Sequence, residues 1–330
     1  YTAVDGTAGL KQAIINKFKR DNGLDYAADQ VIVSVGGKQA IYNLLQALLN
    51  PGDEVIIPAP YWVSYPDMVK LADGEPVIIE AEMSQAFKIT ADQLRAAITD
   101  RTRLVIINSP SNPSGKAYTK NELKTLADVL LDYPDIAILT DDIYEHIVWT
   151  DEGFNNILNV CPELKDRTLV MNGVSKAYSM TGWRIGYTGG PAEIIKGMKK
   201  VQSQSTSNPC SIAQAAAQEA LDGDQGFLTE MCQVFRDRHD FVYSTLKEMD
   251  GVECLPSDGT FYSFPSFHAV IERMDGIDDD VQLAQLLLEK AEVALVPGSA
   301  FGLNGHLRLS FATDMVSLEK ALERIQLAIA

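Results

Sequence analysis

Between residues 31 and 190, short apolar runs rich in β-branched residues alternate with amphipathic stretches of helical period, and this alternation constrains the fold most. The runs are Val31–Val35, Glu54–Pro58, Pro76–Glu80, Leu104–Asn108, Ala137–Thr140 and Thr168–Asn172. Between them stand Ala40–Leu49, Gln93–Ile98 and Glu122–Leu131. Two helical stretches open with capping boxes, Thr90-x-x-Gln93 and Thr119-x-x-Glu122, whose side chains satisfy the free backbone groups of a first turn. Strands alternating with helices predict an α/β fold, a mainly parallel sheet covered by helices on both faces.

The pattern changes after residue 190. Residues 192–220 read as helix interrupted by the polar loop Ser203–Pro209, and a long helical pattern runs from Phe227 to Met249. Beyond it, Val252–Cys254, Thr260–Phe264 and Leu307–Phe311 read as strands, with helices at Val281–Glu292 and Ser317–Ala328. A large domain over 1–235 and a smaller α+β C-terminal domain over 236–330 are therefore expected. At 330 residues and 46% hydrophobic content, the chain can bury a core in each.

Charge narrows the partners. The formal net charge is -17, with 45 acidic against 28 basic residues and no cluster of Lys and Arg. Such a surface repels nucleic acid and anionic membranes, while a small anion can still bind to a few cations in a pocket. No apolar run reaches the roughly 20 residues that span a bilayer, and no signal peptide is visible. Cys161, Cys210, Cys232 and Cys254 form no CxxC, and His146, His239, His268 and His306 are equally scattered, so reduced thiols, a cytoplasmic location and no metal site are expected. The chain opens at Tyr1 without an initiator Met, and a preceding segment is expected.

Polar residues that stand out fall at strand ends, where open α/β sheets bind ligands. Lys176 follows the run Thr168–Asn172 within Gly173-Val174-Ser175-Lys176-Ala177-Tyr178-Ser179-Met180-Thr181-Gly182-Trp183-Arg184-Ile185-Gly186. An isolated lysine there would be a solvated loop residue. Small residues before it, with Gly182 and Arg184 after it, suit instead a buried Schiff-base lysine beside a phosphate, for which Arg supplies a bidentate fork. Val35-Gly36-Gly37-Lys38 opens a helix, and a helix N-terminus suits a phosphate. Trp62 in Pro60–Tyr65 could be core, and turn chemistry explains most of Asn108–Gly115. Asp141 and Asp142 are adjacent acids between which spacing does not choose. Arg308, in the apolar strand Leu307–Phe311, is costly unless paired, either in a salt bridge or with a bound carboxylate.

The Gly173–Gly186 segment resembles the lysine attachment motif of class I aminotransferases, the fold type I pyridoxal-phosphate family, and similar landmarks recur in family order over nearly the whole chain. The resemblance implies a pyridoxal 5′-phosphate cofactor on Lys176. It makes Lys176, Asp141 and Tyr144 catalytic: Asp141 beside the pyridine nitrogen, Tyr144 on the phenolic oxygen, and Asp142 solvated or capping. Gly37, Lys38 and Arg184 hold the phosphate, Trp62 stacks on the ring, and Asn112 donates to the phenolic oxygen. Arg308 takes the substrate α-carboxylate, beside Trp62 and Asn112, and Tyr1 crosses a homodimer interface to the partner's phosphate. Ser203 departs from the dicarboxylate enzymes that place an arginine there. The chain is closer to the bacterial-type subgroup that includes aspartate and aspartate/prephenate aminotransferases, where a lysine at the Lys38 position can bind a distal carboxylate. Amino transfer from an L-amino acid, aspartate first, to 2-oxoglutarate by a ping-pong mechanism is thus implied. Aromatic, alanine-type or kynurenine-type transfer, a carbon–sulfur lyase and a ligand-sensing domain are the alternatives.

Overall fold

The computed structural model describes residues 1–330. Its main sheet has seven strands: β1 (Val31–Ser34), β2 (Glu54–Ala59), β3 (Glu75–Glu80), β4 (Thr102–Asn108), β5 (Ala137–Asp141), β6 (Thr168–Gly173) and β7 (Gly186–Gly189). Their order across the sheet is β1-β7-β6-β5-β4-β2-β3. Strands β2 to β6 pair in parallel, and β7 runs antiparallel to both β6 and β1. The expected sheet is present, with one reversed strand that the sequence pattern did not reveal, because Gly-Tyr-Thr-Gly has neither length nor apolar continuity.

Alternate residues of each strand feed different cores, as period-two geometry demands. Val31, Val33, Ile56, Val105, Ile107, Ile138 and Val170 join one cluster of 34 buried residues. Ile32, Val55, Ile57, Leu104, Ile106, Leu139 and Met171 join another of 19 on the opposite face. Helix Gly37–Leu48 packs in the second cluster through Ala40, Ile41, Leu44 and Leu45, spaced on one helical face. Both expected capping boxes form, at Thr90 and Thr119.

A third cluster runs from Val242 to Ile329 and contains no residue of the other two. It surrounds a three-stranded sheet, β8 (Tyr262–Ser263), β9 (Val296–Pro297) and β10 (Leu307–Ser310), in the order β8-β10-β9. The expected strand at Val252–Cys254 is reduced to a single bridge, Glu253 to Ser266. The expected break at Ser203–Pro209 is shorter, since one helix runs Ala192–Ser205 and the next starts at Ser211. Residue 236 falls inside the continuous helix Phe227–Glu248. No helix is long and apolar enough to cross a membrane.

Candidate active site

Five strands of the main sheet end at one cavity of about 390 Å³. β1 leads to Gly37 and Lys38, β2 to Trp62, β4 to Asn108 and Asn112, β5 to Asp141 and Tyr144, and β6 to Ser175 and Lys176. Thr181 and Arg184 enter from the turn before β7, and Tyr262 and Arg308 from the C-terminal sheet. Nine of the ten residues singled out from sequence therefore line one space. Tyr1 does not, and it is fully exposed.

Asp141 ends β5, the strand between β4 and β6, and is buried. Its carboxylate accepts from the Tyr65 hydroxyl at 2.6 Å and from the Ile143 amide at 3.3 Å. Burial pushes its pKa up to about 6, against those two donors and the nearby charge of Lys176. Asn108 braces the same strand end: its amide donates to the Asp141 carbonyl at 2.9 Å and its side-chain oxygen accepts from the Asn112 amide at 2.9 Å.

Lys176 is partly buried, with its ammonium 5.7 Å from the Tyr144 ring centroid and 5.4 Å from that of Phe261. Burial holds its pKa below the ordinary lysine value; Asp141 opposes this, and Arg308 and Arg184 add to it. A lysine so placed has a larger share of the nucleophilic free amine. Lys38 lies over the Trp62 ring at 5.0 Å. Arg308 donates to Asn112 Oδ1 at 2.9 Å, while its buried Nε has no partner within the chain.

Asp142 corrects an expectation. It is neither solvated nor capping but buried, and its carboxyl accepts from Asn156 Nδ2 at 2.5 Å. Burial first, then the charge of Glu145, raises its pKa well above the usual range. Among the site residues that escaped the sequence reading are Tyr65, Asn108 and Tyr262. Tyr65 and Asn108 sat inside the motifs already noticed; Tyr262 carried no signal beyond an aromatic in a strand.

A model of the aminotransferase class I and II family matches residues 1–325. The chain belongs to that family. This aminotransferase is 56% identical to the aspartate/prephenate aminotransferase of Nitrosomonas europaea over 98% of its own length and 83% of the relative's. The crystal structure of the Rhizobium meliloti aspartate aminotransferase superposes with a TM-score of 0.96 at 50% identity, covering 100% of this chain and 83% of that one. The Thermus thermophilus aspartate aminotransferase with maleate gives 0.93 at 41% identity, over 99% and 83%.

The cofactor of this aminotransferase is pyridoxal 5′-phosphate, and the residues present fit it. A Cβ on Gly186 would stand 2.4 Å from the Gly37 backbone nitrogen, so only glycine lets β7 approach the helix start this closely. Gly36, at φ +85°, likewise makes room for the Arg184 guanidinium. Backbone donors at a helix N-terminus, an Arg fork and the Ser175 and Thr181 hydroxyls could hold the phosphate. Trp62 offers a face for a flat ring, and Asp141 a buried acid for its nitrogen.

Proposed function

We propose that this aminotransferase carries the amino group of L-aspartate to 2-oxoglutarate in the two half-reactions of a ping-pong cycle. One observation carries the reading: of the four basic residues that line the single cavity, Lys176 and Arg184 are assigned to the cofactor, which leaves Lys38 and Arg308 for substrates that each bear two carboxylates. Arg308 takes the α-carboxylate with its fork, and Lys38, docked over Trp62, takes the distal one. The relatives named for aspartate support the same choice. Prephenate, in the name of the Nitrosomonas relative, is also a 2-oxo acid with a second carboxylate, so the same two cations suit it as an acceptor.

Bound pyridoxal phosphate supplies the carbonyl carbon that receives the amino group and a ring that draws off the electrons of the broken Cα–H bond. The chain's own residues do the rest. Gly37 and Arg184 would anchor the phosphate, and Trp62 would stack on the ring. Lys176 Nζ would be the covalent anchor and, when free, the base that takes the Cα proton and returns it to the carbon that has received the amino group. Asp141, held by Tyr65, would pair with the ring nitrogen and keep its proton in place. Asn112 and Tyr144 donate to the phenolic oxygen. Arg308 sets the angle at which the Cα–H bond is presented.

The working form in this reading is a cytoplasmic homodimer, with sites shared between subunits and exposed Tyr1 reaching the partner's phosphate. The four free cysteines agree with a reducing compartment.

Steady-state kinetics of the cofactor-loaded enzyme with 2-oxoglutarate and aspartate, alanine or phenylalanine test the reading. Aspartate should have the highest kcat/KM. Lys38→Met should lower that value about 10- to 100-fold while changing phenylalanine by less than about threefold. An equal loss for every donor would confine Lys38 to the phosphate, and ammonia released without an acceptor would point to a lyase.

A further inference from the structure

We propose that Tyr262 is a positioning residue that joins the carboxylate end of the cavity to the hydroxyl of Tyr144: its ring fixes the plane of the Arg308 guanidinium, and its hydroxyl donates to Tyr144. The proposal rests on the cofactor and carboxylate roles given above. Tyr262 is buried at the start of β8, opposite Ser310 in the ladder with β10, the strand that carries Arg308.

The guanidinium carbon of Arg308 lies 4.4 Å from the Tyr262 ring centroid and 4.9 Å from that of Phe301. It donates to Asn112 Oδ1, and its buried Nε has no partner. No acidic side chain forms a salt bridge with it. The distinction matters chemically. An acid partner would occupy the fork that a substrate carboxylate needs. Aromatic faces attract the cation through their quadrupole and use none of its N–H groups. Two rings therefore hold the group while leaving donors free.

At its other end, the Tyr262 hydroxyl is 3.3 Å from that of Tyr144, and the rings meet edge to face at 6.0 Å. Either hydroxyl can donate across this pair. When Tyr144 gives its proton to the phenolic oxygen of the cofactor, only its lone pairs face Tyr262, and Tyr262 must be the donor. Hydrogen bonds in such a chain polarise one another, so donation by Tyr262 strengthens that of Tyr144.

Two variants separate ring from hydroxyl: Tyr262→Phe and Tyr262→Leu, each loaded with pyridoxal phosphate. The readouts are the pH midpoint of the visible cofactor band and the dissociation constant of maleate, the latter at a pH well below the midpoints. Without the Tyr262 donor, more negative charge stays on the phenolic oxygen, which holds a neighbouring proton to higher pH. Tyr262→Phe should therefore raise the midpoint by about 0.5 unit and leave maleate binding within about twofold. Tyr262→Leu should raise it similarly and weaken maleate about tenfold. A Phe variant with the unsubstituted midpoint overturns the relay, and a Leu variant with unsubstituted maleate affinity overturns the clamp. Should the Leu variant fail to fold, Tyr262→Met decides the clamp by the same maleate measurement, and the nearly isosteric Phe variant decides the relay through the midpoint. An unsubstituted enzyme whose band ignores pH, or that binds no maleate, overturns instead the reading on which the proposal stands.

Discussion

At Asp141, burial and hydrogen bonding pull the carboxyl in opposite directions, and burial prevails: its pKa rises from 3.8 to about 6. An acid whose folded value is raised binds its proton more tightly in the folded state. Its contribution to stability is therefore present below pH about 4 and lost as pH rises through about 6. Asp141→Asn removes that dependence. In denaturant unfolding of the cofactor-free protein at pH 4.5 and 7.5, the unsubstituted chain should lose about 2 kcal/mol relative to the variant. Equal differences at the two pH values would show that the carboxyl stays ionised throughout. A protonated ring nitrogen beside Asp141 would favour its carboxylate and reverse the effect, which is why the position suits a cationic heterocycle.

On the scale of elements, the segment that carries Asp141 and Tyr144 is tied down from behind by a buried ion pair, Lys17 with Glu145. Lys17 ends the helix Ala8–Lys17, and Glu145 follows Tyr144 directly. Glu145 also accepts from Asn22 Nδ2 and from Asn172 Nδ2, each at 2.7 Å, and Asn172 lies on β6, the strand that leads to Lys176. Asp21, Glu145 and His146 bring their ligand atoms within 4.8 Å of one another, but Lys17 already supplies the cation there. Breaking a buried pair strands an uncompensated charge. Lys17→Met should cost about 3–5 kcal/mol in urea unfolding, and adding Glu145→Gln should restore part of it. A loss below about 1 kcal/mol would show that Glu145 is held by its asparagines alone.

For the whole molecule, catalysis in this reading needs groups from two cores to meet, and aromatic contacts make the join. Buried residues of the first two clusters end at Leu221, and those of the third begin at Val242. We propose on this basis that the chain divides into domains over 1–235 and 236–330. Across the division, Phe87 packs edge-on against Phe264 at 5.6 Å, and within the C-terminal part Phe264 packs against Phe301 at 5.8 Å. The Tyr61 amide, next to Trp62, donates to the Phe301 carbonyl at 3.0 Å. Phe301 in turn contacts Arg308. Phe87→Ala should cost about 3 kcal/mol of stability and raise KM for aspartate more than it lowers kcat, because Arg308 would lose its fixed approach to Asn112. An unchanged KM would separate the join from substrate binding.

How much of this was legible beforehand follows from the range of the forces involved. Apolar periodicity marks which strands are covered on both faces, and capping chemistry acts over three residues, so six strands of the main sheet and both capping boxes could be read locally. Motifs are local too, and it was their resemblance to a family's motifs, not spacing alone, that singled out Lys176, Asp141, Trp62, Asn112 and Arg308. Strand β7 could not, because four residues rich in glycine become a strand only where Gly186 lets the Gly36–Gly37 turn come close. Asp142 looked like a solvated acid, and only Asn156, fourteen residues on, shows what its burial is matched with. Tyr65 and Tyr262 owe their places to partners 76 and 118 residues away in the chain. The sequence by itself determined the layers, most strand ends and the chemistry they carry. Tertiary packing decided which polar groups are stripped of water and which face one another, because desolvation and contact depend on neighbours that no local pattern contains.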